Sequence, residues 1–232
     1  LSYRVVYQDI GVKDYKETWN YQEEIFRKLV GKKSTKDPKG RPDDPYEPGV
    51  LLFVEHPHVF TLGKSGSEKN LLIDNIRLKK SNAQFYRTDR GGDITYHGPG
   101  QIVGYPIFDL EILGIGLKEY VYRLEESVIA TISDFGIKGS RLDGAAGVWL
   151  NTGGRTSKIC AIGVKASRYV TMHGFAFNVN TDLTFFNYIN PCGFTDKGVT
   201  SLRNETGVRQ DLENVKLLLK RNLGIIFNIM WV

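Results

Sequence analysis

The reactive side chains of this sequence are few: two cysteines, four histidines, and lysines that fall at strand-like positions. A cysteine attacks only as its thiolate, and a neighbouring cation lowers a thiol pKa from about 8.5. Cys192 stands between Pro191 and Gly193. It therefore occupies a turn, where reactive groups commonly lie. Cys160 lies in the near-continuous apolar run from Lys158 to Val164 and reads as a small buried hydrophobe. Strand alternation places Lys158 and Cys160 on one face, so local reasoning alone permits a Lys158–Cys160 pair. The residues leave the partner of Cys192 open.

A second feature is the loop Arg90, Gly91, Gly92, Asp93, Ile94, Thr95, Tyr96, His97, Gly98, Pro99, Gly100, Gln101. Glycine admits positive φ and lets another molecule approach the main chain, and proline removes a donor. Such a loop can hold a ligand against backbone N–H groups. Metal chemistry fits poorly. His56 and His58 are the only close pair among the histidines, and no CxxC or HExxH spacing occurs. No Walker A motif and no GxGxxG between strand and helix suggests a nucleotide, so no metal or cofactor is expected.

The run from Arg90 to Leu110 closely resembles the signature of the octanoyl-[acyl carrier protein]:protein N-octanoyltransferases, the lipoyl(octanoyl) transferases. Two later stretches are similar to the same family in the expected order. One is Ser157 to Gly163. The other is His173 to Asn180 followed by Asn190, Pro191, Cys192, Gly193 and Phe194. The resemblance covers about Glu55 to Leu202, and Asp93 stands where such enzymes vary. It implies an α+β fold, a single domain over 1–232 of the biotin/lipoate protein ligase-like type with a mixed β-sheet and flanking helices.

The resemblance also implies site roles. Cys192 matches the family's nucleophile and Lys158 its partner lysine, whereas the Cys160 position has no functional role. Arg90, Gly91, Gly92, Asp93, Ile94, Thr95, Tyr96, His97, Ala161, Ile162, Gly163, His173, Gly174 and Phe175 match positions that line the substrate site. For His97 and His173 the residues leave two readings open, orienting the substrate or a satisfied structural role. The implied reaction moves an octanoyl or lipoyl group from acyl carrier protein to a lysine of a lipoyl domain through a cysteine thioester. The implied acceptors are the lipoyl domains of 2-oxoacid dehydrogenase complexes and the glycine cleavage H protein. The alternatives are an ATP-dependent lipoate or biotin-type ligase, a lipoyl-domain amidotransferase, and a non-catalytic carrier-binding module.

The elements that must position these residues follow from periodicity. Val12 to Val30 carries Tyr15, Trp19, Phe26 and Leu29 at helical spacing. Leu117 to Phe135 is the clearest helix, with Leu117, Tyr120, Val121, Leu124, Val128, Ile132 and Phe135 in one stripe and Gly136 at its end. Ile76–Ala83 and Asp182–Ile189 read as short helices, and Asp211 to Leu223 as a helix capped by its aspartate. Val50–Val54, Phe60–Gly63, Ile102–Phe108, Gly147–Leu150, Lys158–Val164 and Phe175–Val179 read as strands of one sheet, with a hairpin turn at Asn151–Arg155. The segment 34–49 holds Pro38, Pro42, Pro45 and Pro48 and reads as a surface loop that can touch a partner.

Bulk composition narrows the class. With 232 residues, 41% hydrophobic and 25% charged, the chain can build one substantial core. No apolar run is long enough for a bilayer, and Leu1 to Asp9 is too polar for a signal peptide. The expectation is a cytoplasmic protein that binds neither membrane nor nucleic acid. Its net charge of +5 suits an acidic protein partner better than DNA, because no basic block or nucleic-acid motif occurs.

Overall fold

The computed structural model of the chain describes residues 2–34, 47–190 and 197–232. In chain order the elements are β1 (Tyr3–Val12), α1 (Tyr15–Ser34), β2 (Gly49–Glu55), β3 (Val59–Leu62), α2 (Asn75–Lys80), β4 (Gln84–Arg87), β5 (Ile94–His97) and β6 (Gln101–Ile107). Then follow α3 (Leu110–Leu113), α4 (Leu117–Ser133), β7 (Ser140–Leu142), β8 (Ala145–Thr152), β9 (Arg155–Ser167), β10 (Val170–Asn178), β11 (Gly198–Val199), α5 (Leu202–Thr206), α6 (Leu212–Phe227) and β12 (Ile229–Trp231). A 3₁₀ turn spans Leu183–Tyr188.

One large sheet runs β12-β1-β2-β6-β10-β9-β8-β7, with β11 added beside β9. Its β12, β1 and β2 are parallel, and the strands from β2 to β7 are antiparallel neighbours. On one face α4 and α6 bury Tyr120, Leu124, Val128, Leu219 and Leu223 against Phe53, Val148, Cys160 and Phe177. On the other face α1 brings Phe26 and Leu29 against Val54, Val103, Tyr105, Met172 and Ala176. Each Leu, Val, Phe and Met among them contributes about 1.5–3 kcal/mol by leaving water. The architecture is α+β, with the sheet between two helical layers.

Several elements depart from the sequence reading. The first helix starts at Tyr15, not Val12, because Asp14 Oδ1 accepts the N–H groups of Lys16 and Glu17 at 2.8 and 3.2 Å. Residues 3–12 before it form β1, a strand the sequence reading did not assign. Phe60 belongs not to the main sheet but to a second one, ordered β4-β3-β5. The loop expected over residues 90–101 contains the strand β5. The Pro-rich segment lies mostly outside the described residues. Among the described residues no helix is long and apolar enough to cross a membrane.

Candidate active site

Lys158 owes its position to an irregularity in β9. Val148 pairs with Cys160 and the next residue, Trp149, pairs with Lys158, so Ile159 is an extra residue with no partner on β8. Cross-strand partners share a face, and adjacent residues of β8 point to opposite faces. The bulge therefore puts Lys158 and Cys160 on opposite faces, which overturns the alternation that placed them together. Lys158 lies over the Trp149 ring, 4.5 Å from its centroid, and its Nζ donates to Ala146 O at 3.1 Å. Cys160 points into the core beneath α4 and is fully buried. Burial pushes its thiol well above the ordinary range, outweighing the nearby Lys158 charge.

The face that carries Lys158 lines a cavity of about 510 Å³. The structure brings Arg90, Gly91, Gly92, Asp93, Ile94, Thr95, His97, Ala161, Ile162, Gly163, His173, Gly174 and Phe175 to its wall. Tyr96 is not brought there. Its ring packs against Phe60 and stacks on Phe185 at 4.9 Å, and its hydroxyl lies 2.7 Å from His58 Nδ1. Cys192 falls in residues 191–196, outside the described residues. Beyond that segment, Lys197, Gly198 and Val199 line the cavity. There β11 pairs with β9 beside Lys158.

The glycine-rich loop rests directly on β9. Gly91 N–H donates to Val164 O at 2.9 Å. A Cβ on Gly163 would lie 2.8 Å from Gly91 O, so only glycine admits this approach. Arg90 braces the loop from within. Its Nη2 donates to Thr61 O at 2.6 Å and Asp93 O at 2.8 Å, and its Nη1 to Gly91 O at 3.0 Å. Asp93 accepts from Ile94 N at 2.7 Å and from Asn70 Nδ2 at 2.5 Å. Asp89, just before the loop, accepts from His173 Nε2 at 2.7 Å and pairs with Lys165. The His173 hydrogen bond is the largest of the effects that hold the Asp89 carboxyl below the usual carboxylate range.

His97 sits within a connected polar network. Gln101 Nε2 donates to Tyr96 O at 3.1 Å and to Asn178 Oδ1 at 2.9 Å. Its Oε1 is thereby turned to accept the His97 Nδ1 proton at 2.9 Å. Nε2 of His97 accepts from the Thr61 hydroxyl at 3.3 Å. Burial holds the His97 pKa well below the ordinary value, helped by the nearby His56 and Arg90. Asn178 Nδ2 continues the network to Thr200 O at 3.1 Å, and Thr200 N–H reaches Lys158 O at 3.0 Å. His56 is likewise neutral, donating to Lys13 O and accepting from the Tyr105 hydroxyl, each at 2.8 Å. Burial takes its pKa to about 4.

Trp149, Gln101, Asn178, Asp89, Tyr15 and Tyr105 are not among the site residues expected from the sequence, although Gln101, Tyr105 and Asn178 lie in its motif stretches. Gln101 and Asn178 gave one usable signal: a polar amide at the end of an otherwise apolar strand. Among the described residues no group of three or more His, Cys, Asp or Glu side chains is gathered to hold a metal ion. The site as built offers an amine on an aromatic face, neutral imidazoles and a backbone-lined wall. Such a set can bind an uncharged acyl group and move protons.

The family model described as the lipoyl protein ligase A/B catalytic domain matches residues 14–224. An octanoyltransferase of Parabacteroides distasonis is 53% identical over 223 residues, covering 95% of this chain and 97% of its own. One from Flavobacterium johnsoniae is 51% identical, covering 98% of both chains. Among solved structures, a bipartite lipoate protein ligase from Thermoplasma acidophilum superposes with a TM-score of 0.68 at 15% identity. That match covers 100% of this chain and 86% of the other, and it shows a shared fold.

Proposed function

The chain belongs to the lipoyl protein ligase A/B catalytic domain family, and from that premise we propose how its acyltransferase site works. It is an acyltransferase of the octanoyl-transfer step in protein lipoylation. Our reading is that residues 1–232 act as one catalytic unit in the cytoplasm. The donor is octanoyl-acyl carrier protein, and the acceptor is a lysine on a lipoyl domain of a 2-oxoacid dehydrogenase complex or on the glycine cleavage H protein.

In the first half-reaction the Cys192 thiolate attacks the thioester carbonyl. The new C–S bond forms, the carrier's C–S bond breaks, and the carrier thiolate leaves with a proton delivered by Lys158. In the second, the acceptor amine attacks the acyl-enzyme. The C–N bond forms, the C–S bond to Cys192 breaks, and Lys158 takes the proton lost by the amine. This is covalent catalysis in two steps. Thioester exchange is near balance and amide formation runs downhill, so no ATP is consumed. Backbone N–H groups of the glycine-rich wall supply the polar surface for the tetrahedral oxyanion.

The observation that carries the reading is the placement of Lys158. It is 9% exposed, on the cavity face, between the Trp149 ring and Ala146 O. A lysine on the cavity wall is placed to pass protons to and from groups bound there. The test is turnover of octanoyl-acyl carrier protein with a lipoyl domain, with and without ATP. Equal turnover in both supports the transferase. Turnover only with ATP and free octanoate establishes the ligase instead.

A further inference from the structure

Glu125 is a buried acid on α4, one turn along the helix from Val121, which lines the cavity. Its Oε1 accepts the N–H of Gly147 at 2.9 Å. Its Oε2 accepts from Arg141 Nε at 3.1 Å, a guanidinium that also pairs with Glu126 Oε2 at 2.6 Å. The peptide whose N–H it holds is the one joining Ala146 to Gly147. The carbonyl of that same peptide receives Lys158 Nζ at 3.1 Å. In a trans peptide the N–H and C=O point in opposite directions across one rigid plane. Fixing the N–H on the α4 side therefore fixes the carbonyl on the lysine side. The hydrogen bond to the carboxylate also polarises the peptide and strengthens its carbonyl as an acceptor.

The local backbone fits this role. Gly147 has φ +125°, a conformation that side-chain-bearing residues rarely adopt. A Cβ there would press on Cys160 O and lie 3.4 Å from the Lys158 stem. The strand is thus distorted at the point where helix, peptide and lysine meet, and the distortion needs an anchor. We propose that Glu125 is a positioning residue for Lys158, acting through the peptide that joins Ala146 to Gly147. This rests on the reading of Lys158 as the residue that moves protons in acyl transfer. Glu125 touches no substrate and acts only by holding the lysine's acceptor.

The test is single-turnover acylation by octanoyl-acyl carrier protein, with steady-state kcat and KM and a thermal unfolding curve for each variant. Glu125→Asp keeps the charge but falls short by one methylene. It is expected to lower the rate about 10- to 100-fold with KM changed less than about twofold, the scale of a small misplacement at a reacting group. Glu125→Gln keeps an oxygen that can accept the Gly147 N–H, and is expected to stay within about threefold of wild type. In a Lys158→Ala background Glu125→Asp should cause no further loss, because the two residues act as a unit. Where Glu125→Asp does not fold, the paired Glu125→Leu and Arg141→Met replacement carries the same expectation, since apolar groups replace the ion pair. A wild-type rate in Glu125→Asp overturns the inference alone. So does an equal loss with and without Lys158, or a Glu125→Gln variant as slow as Glu125→Asp. Wild-type protein that takes up no acyl group overturns the functional reading and this inference with it.

Discussion

Lys158 and Cys160 are separated by a single residue yet face opposite sides of the sheet. Ile159 bulges, so Lys158 pairs with Trp149 while Cys160 pairs with Val148. The lysine is delivered to the cavity and the thiol to the core beneath α4. Burial pushes that thiol up, away from the thiolate form that nucleophilic attack requires. Of the two cysteines in the chain, the one nearer Lys158 in sequence is the one the fold removes from chemistry.

Replacing Cys160 should therefore leave acyl transfer intact. Cys160→Ala removes one buried sulfur and is expected to cost on the order of 1–2 kcal/mol of stability. Its kcat should stay within about twofold of wild type, because the side chain does not reach the cavity. Alkylation of the native protein at pH 8, followed by peptide mapping, should leave Cys160 unmodified. Rapid labelling of Cys160, or loss of turnover in Cys160→Ala, would show that the bulge is misassigned.

Gly163 is the contact point between β9 and the glycine-rich loop. An added methyl would lie 2.8 Å from Gly91 O and 3.1 Å from Arg90 Nη1, so the loop must shift. Gly163→Ala is expected to destabilise by about 1–3 kcal/mol, as overpacking does. Because the displaced loop forms the cavity wall, KM for the acyl donor should rise by about tenfold. A variant with unchanged melting temperature and unchanged KM would mean that the loop does not need this seat.

The neutral histidines make the fold sensitive to acid. An exposed histidine titrates near 6.5. His56 is depressed to about 4, and His97 lies well below its ordinary value. Between about pH 6.5 and about 4 the unfolded chain binds protons that the folded chain refuses. Stability is thus fully present above pH 6.5 and falls with decreasing pH, by about 1.4 kcal/mol per pH unit for each such ring. Denaturant midpoints measured from pH 7.5 to 4.5 should decline across this window. A flat profile would mean that the two rings are protonated in the folded state.

Much of this fold was legible in the chain. The stripe from Tyr120 to Ile132 and the Asp211 cap announce α4 and α6 because helical periodicity and capping are local. The three motif stretches can be located, and the structure places the expected lining residues other than Tyr96 around one cavity. The misses share a cause. The bulge at Ile159 leaves no mark in an apolar run, since each of its neighbours would also suit a regular strand. Strand β1 goes unassigned in the sequence because the stretch holding Tyr3, Val5, Val6 and Tyr7 is weighed there only for its overall polarity. The separate β4-β3-β5 sheet is a matter of pairing, which composition does not record. The network from His97 through Gln101 and Asn178 to Thr200 joins residues up to about a hundred positions apart in sequence, and only the tertiary structure closes it.

In the proposed reaction, acyl transfer passes through a covalent enzyme intermediate on Cys192, served by Lys158. The most direct measurement is intact-mass spectrometry after incubation with octanoyl-acyl carrier protein, in the absence of ATP. Wild type, Cys160→Ala, Cys192→Ser and Lys158→Ala should be run side by side. One octanoyl adduct is expected on wild type and on Cys160→Ala, none on Cys192→Ser, and a strongly slowed adduct on Lys158→Ala. An adduct that persists in Cys192→Ser, or one that disappears only in Cys160→Ala, would contradict the proposed reaction.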